Sequence, residues 1–94
     1  MIQETIERIR QMEQYFDVLQ KAEQENPDTL REDAALREML QILARYYESD
    51  QWLGDYELDE KGLLPRNLKR GVLAQDAVFD FLERVENAVH KEDT

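Results

Sequence analysis

The sequence predicts an all-α fold: a three-helix bundle, built as an antiparallel helical hairpin plus a C-terminal helix, with a short irregular helical insert between helices two and three. Three observations carry this prediction. Apolar residues recur at spacings of three and four in three separate stretches, and Pro27, Gly62, Pro65 and Gly71 punctuate the chain between them. The length, 94 residues, allows one core and no separate lobes.

The first stripe is Ile2, Ile6, Ile9, Met12, Phe16 and Leu19, which predicts a helix from Ile2 to Glu25. Asn26-Pro27-Asp28 ends it, because proline drives its predecessor out of the α region and lacks an N–H. Thr29 with Glu32 has the pattern of a capping box, and Leu30, Leu36, Met39, Leu40, Leu43 and Tyr47 continue at helical spacing, predicting a second helix to Ser49. Residues 1–49 are thus expected to form the hairpin of a single domain covering residues 1–94. Residues 50–73 form the insert, acidic and aromatic first and basic later. Gly62 suits the C′ position after its helical part, Gly54 weakens the middle, and Asn67 to Gly71 is read as one helical turn closed by its glycine. The third long helix spans Gln75 to His90, with Val78, Leu82, Val85 and Val89 on its stripe and Phe79 and Phe81 beside it, before a short tail.

Composition narrows the function classes. The net charge of −10 repels phosphate backbones and anionic lipid surfaces, so neither nucleic acid nor membrane is an expected partner. No cysteine is present, hence no disulfide framework and no thiolate metal site. The N-terminal residues lack a basic segment leading into an apolar one, and no apolar run approaches the roughly 18 residues of a spanning helix, which predicts a cytoplasmic protein.

The chemistry-bearing stretch is Tyr46 to Arg70. Glu48, Asp50, Asp55, Glu57, Asp59 and Glu60 precede Lys61, Arg66, Lys69 and Arg70, and the same stretch holds Tyr46, Tyr47, Trp52 and Tyr56. Ion pairing of the acidic block with Lys69 and Arg70 is the expected arrangement. An EF-hand begun at Asp55 would need glycine at Glu60 and an acid at Arg66, so calcium ligation has no support. Trp52 and Tyr56, four apart, share a helical face suited to core packing or to an interaction hot spot, and Trp52 is expected to be at least half buried. His90 has no second ligand, and Ser49 has no neighbouring histidine as base.

Tyr47-Glu48-Ser49, Trp52-Leu53, Asp55-Tyr56-Glu57 and Asp59-Glu60, followed by Gly62, Leu64-Pro65 and Leu68-Lys69-Arg70-Gly71-Val72-Leu73, resemble the signature of the family catalogued as domain of unknown function 4298. Arg10-Gln11-Met12-Glu13 resembles that family's N-terminal element, so the likeness spans essentially the whole chain. The resemblance implies a bacterial source and no established activity. The family pattern often has a hydroxyl residue where Ala74 stands, which implies a weaker cap for the last helix.

The leading functional expectation is a protein-interaction module presenting Trp52, Asp55, Tyr56, Glu57, Asp59, Glu60, Lys69 and Arg70, with another protein or a second copy of the chain as partner and no cofactor. Two alternatives stand beside it. One is a magnesium-dependent all-α nucleotide hydrolase using the pairs Glu57/Glu60 and Glu83/Glu86. The other is an acidic nucleic-acid mimic.

Overall fold

Helix α1, Ile2–Glu25, is the long axis of the molecule: at ~1.5 Å per residue its 24 residues account for most of the 44 Å maximum extent. The structure is a computed structural model, and it describes the backbone of residues 2–90 and the side chains of residues 3–86. The expectations for the side chains of Ile2, Val89 and His90 and for the tail 91–94 lie outside the described residues. Among the described residues there is no strand, and the fold is an all-α bundle.

Asn26 ends α1 as expected, its N–H still bonding Ala22 O at 2.8 Å while its side chain accepts from Asp28 N at 3.2 Å. The second helix departs from the prediction. It is split into a single turn α2, Thr29–Glu32, and a longer α3, Ala34–Tyr47, with Asp33 extended between them at φ −86° and ψ 118°. No capping box forms at Thr29, whose hydroxyl donates to Asn26 O; Asp33 is the cap, accepting from Ala35 N at 2.9 Å and Leu36 N at 3.1 Å. The reason is geometric. On one continuous helix Leu30 would point about 120° away from the Leu36, Leu40 and Leu43 stripe, whereas the break buries Leu30 and keeps that stripe on the core.

The insert is more regular than its glycine suggested. Ser49 caps α4, Asp50–Glu60, by accepting from Trp52 N, and α4 is an unbroken α-helix through Gly54. It ends at Gly62, φ 71°, where Leu63 N bonds Leu58 O and Gly62 N bonds Asp59 O, the paired bonds of a Schellman cap. The turn expected at Asn67 to Gly71 is displaced: Gly71 opens a 3-10 turn, Gly71–Leu73, instead of closing one. Helix α5, Gln75–His90, follows at its predicted bounds.

The core gathers Ile9, Phe16 and Leu19 of α1, Leu43 of α3, Trp52 of α4, Val72 and Leu73 of the turn, and Val78, Phe81 and Val85 of α5. Phe16 meets Phe81 edge-on at 5.4 Å, and Glu23 pairs with Arg84, so α1 and α5 run in the same direction. Arg8 and Met12 in the N-terminal half of α1 share a groove with Ile42 and Arg45 in the C-terminal half of α3, and the short connection through α2 joins the opposite ends, so α3 is antiparallel to α1. No described helix is long and apolar enough to cross a membrane.

Candidate interaction surface

Helix α4 positions the predicted residues on two opposite duties. Its inner side carries Trp52 and Asp55, which are 7% and 2% exposed. Trp52 is therefore buried, as expected of a large apolar side chain anchoring a short helix that carries a glycine at its centre. Tyr47 meets its ring edge-on at 5.0 Å and Tyr56 stacks on it at 5.2 Å, so the three aromatics form one row.

Asp55 is held from α1 and α3. Arg8 of α1 donates through Nε at 3.0 Å and Nη2 at 2.7 Å to its two carboxylate oxygens, and the Tyr46 hydroxyl donates to Oδ2 at 2.7 Å. Burial, then this hydrogen bond, pushes the Tyr46 phenol far above its ordinary range. Arg8's own hydrogen bonds to Asp55 raise its guanidinium pKa against the opposing effect of desolvation. Every buried side-chain polar atom described here has a partner, so the cluster is closed.

A second latch fixes the 3-10 turn. Val72 N donates to the buried Glu13 carboxylate at 2.9 Å, while Trp52 Nε1 donates to Val72 O at 2.8 Å. The two peptide groups flanking one residue, Val72, are thereby clamped from α1 and α4 together. Gly71 belongs to this clamp, since a Cβ there would lie 2.8 Å from Glu13 Oε1.

The basic residues divide differently from the expectation. Arg70 pairs with Asp59 and also donates to Pro65 O and Leu68 O, tying the strap between α4 and the turn back onto α4. Lys69 does not meet the acidic block; it pairs with Asp17 of α1 at 2.7 Å, an interaction that raises its ammonium pKa. Asp55 takes Arg8 in place of either. Glu57 and Glu60 remain exposed, and Tyr56, half-buried, is raised first by its hydrogen bond with Glu60. Arg8, Glu13 and Tyr46 were not among the residues expected at the site. Nothing local marks Arg8 in a chain with twelve bases.

A family described as a domain of unknown function (DUF4298) matches residues 9–92. The chain belongs to this family. No curated protein and no solved structure matches it. Of the motif residues quoted in the sequence analysis, Glu13, Trp52, Asp55, Asp59, Arg70 and Gly71 serve the two latches and the strap.

Val18, Leu53, Leu63 and Phe79 are the large apolar side chains left exposed among the described residues, and of these Phe79 lies on α5. Phe79 is 51% exposed and lines a groove of about 180 Å³ with Tyr47 and Leu82, and Glu48, Glu83 and Glu86 form the rest of the lining. The groove holds no basic residue. Arg84 of α5 is turned to Glu23 of α1 instead. Among the described residues no group of three or more His, Cys, Asp or Glu side chains is placed to hold a metal ion, so Glu57, Glu60, Glu83 and Glu86 do not converge.

Proposed function

We propose that the chain is a small bacterial cytoplasmic protein-interaction module that docks a basic, apolar-anchored segment of a partner protein on the aromatic and acidic surface of α4 and α5. The observation that carries this reading is Phe79, an exposed aromatic in a groove whose described charged lining residues are all glutamates. About 180 Å³ suits one anchoring side chain of a peptide better than an enclosed small molecule, for which pockets of ~300 to 1,000 Å³ are usual. Glu57, Glu60 and the Tyr56 edge extend the same acidic character along α4, so a lysine- or arginine-bearing segment is the complementary partner. The buried members of the predicted set, Trp52 and Asp55, support this surface from beneath and do not touch the partner.

The test places a photo-crosslinking phenylalanine analogue at position 79 in cells of the native host, with the same analogue at Glu38, exposed on α3, as control. A discrete adduct from position 79, mapped to a basic segment and lost in Glu83→Lys/Glu86→Lys, is expected. Equal adducts from both positions, or capture indifferent to those charge reversals, would reject the reading.

A further inference from the structure

A second groove shares no residue with the first and has the opposite charge. It lies between the N-terminal half of α1 and the C-terminal half of α3 and measures about 300 Å³. Its apolar lining comes from Met12 and Ile42, both half-buried, and from Tyr46, whose hydroxyl is already committed to Asp55. Among the described residues, the charged side chains lining it are Arg8 and Arg45. Glu4, one turn before Arg8, acts on that guanidinium but does not line the groove.

The two arginines are not equivalent. Arg8 is engaged twice with Asp55, whereas Arg45 is exposed and has no ion pair or hydrogen bond among the described residues. An uncommitted guanidinium at the edge of an apolar groove is a ready partner for a carboxylate, which it meets through two parallel hydrogen bonds. In a chain of net charge −10 this is a local reversal of sign, and the overall field sets a limit on what can use it. Each added negative charge on a ligand is repelled by the whole molecule, while among the described residues lining the groove Arg45 is the one uncommitted cation to receive it.

We propose that this groove binds a small amphipathic monocarboxylate, its apolar body against Met12, Ile42 and Tyr46 and its carboxylate on Arg45. The volume is at the lower bound for small-molecule sites, ~300 Å³, which favours a single ring or short branched chain. The site is independent of the surface proposed for protein docking.

The experiment is a titration of the full chain followed by backbone amide shifts, with 4-phenylbutyrate as probe, 4-phenylbutanol as its neutral counterpart and a tetraglutamate peptide as polyanion. Saturable shifts at Met12, Ile42 and Arg45 are expected with the carboxylate, with the alcohol about tenfold weaker and the peptide weaker still. Arg45→Gln, a surface change that leaves the fold intact, should weaken the carboxylate about tenfold, and Arg37→Gln on the same helix should not. Absence of localised shifts, equal binding of acid and alcohol, or an Arg45→Gln variant that binds like the parent would overturn the proposal. Tighter binding of the peptide than of 4-phenylbutyrate would overturn it as well, assigning the groove to an acidic protein segment.

Discussion

Replacing Asp55 by alanine removes one acceptor group from three donors at once, two on Arg8 and one on Tyr46. Tyr46 is 5% exposed, so its hydroxyl is left without a partner and without water, at a cost of about 1–3 kcal/mol. Arg8 is different. Its side chain is 26% exposed, and part of the guanidinium can turn to solvent, which reduces the ~3–5 kcal/mol of a fully buried broken pair to about 1–2 kcal/mol. The combined loss is about 3 kcal/mol, which for a domain of this size lowers the melting temperature by roughly 15 °C. Urea unfolding followed by far-ultraviolet circular dichroism and by the fluorescence of the single tryptophan measures it. The double variant Asp55→Ala/Tyr46→Phe should recover part of the loss, because it no longer buries an orphaned hydroxyl. A loss below about 1 kcal/mol would place Asp55–Arg8 with ordinary surface ion pairs and refute the reasoning.

Two glycines should respond to alanine with opposite signs. Gly71→Ala forces Glu13 off Val72 N and should cost about 1–2 kcal/mol, whereas Gly54→Ala, with nothing within 4 Å of the new Cβ inside α4, should stabilise by about 0.5–1 kcal/mol; urea melts of the pair decide. Asp33→Ala removes the cap of α3 and should cost about 1 kcal/mol, while Thr29→Ala, which caps nothing, should fall well short of that in the same melts. The pH dependence follows from Tyr46. Its folded pKa is raised above 10.0, so the folded chain keeps a proton that the unfolded chain loses; the stabilisation is complete below pH 10.0 and declines as pH rises beyond it. Tyr46→Phe should flatten this alkaline limb in a series of melts at increasing pH, and an unchanged slope would remove Tyr46 as its source.

Much of the backbone was legible because helix periodicity and punctuation are local. The bounds of α1 and α5 and the cap at Gly62 follow from stripes and from residues adjacent in sequence. The break at Asp33 was also written locally, as a strong N-cap residue three before Leu36, but the Thr29/Glu32 pattern competed with it. Only burial of Leu30 together with Leu36 and Leu43 decides between them, and burial is a property of the packed bundle.

The candidate surface divides along the same line. Sequence by itself determined an acidic, all-helical chain with its aromatic and charged residues concentrated between Tyr46 and Arg70, because composition and spacing are intrinsic to the chain. It also led to the expectation that Trp52 is at least half buried, since a short helix with Gly54 at its centre needs a large apolar anchor. Tertiary structure alone decided which charges meet. Asp55 finds Arg8 at a separation of 47 residues, Val72 finds Glu13 at 59, and Lys69 leaves the neighbouring acids for Asp17 at 52. Charge attraction has no sequence register: every acid is attracted to every base, and the partner is chosen by which helices pack and which sites exclude water. The same packing turned Phe81 inward and left Phe79, two residues away on α5, exposed among glutamates.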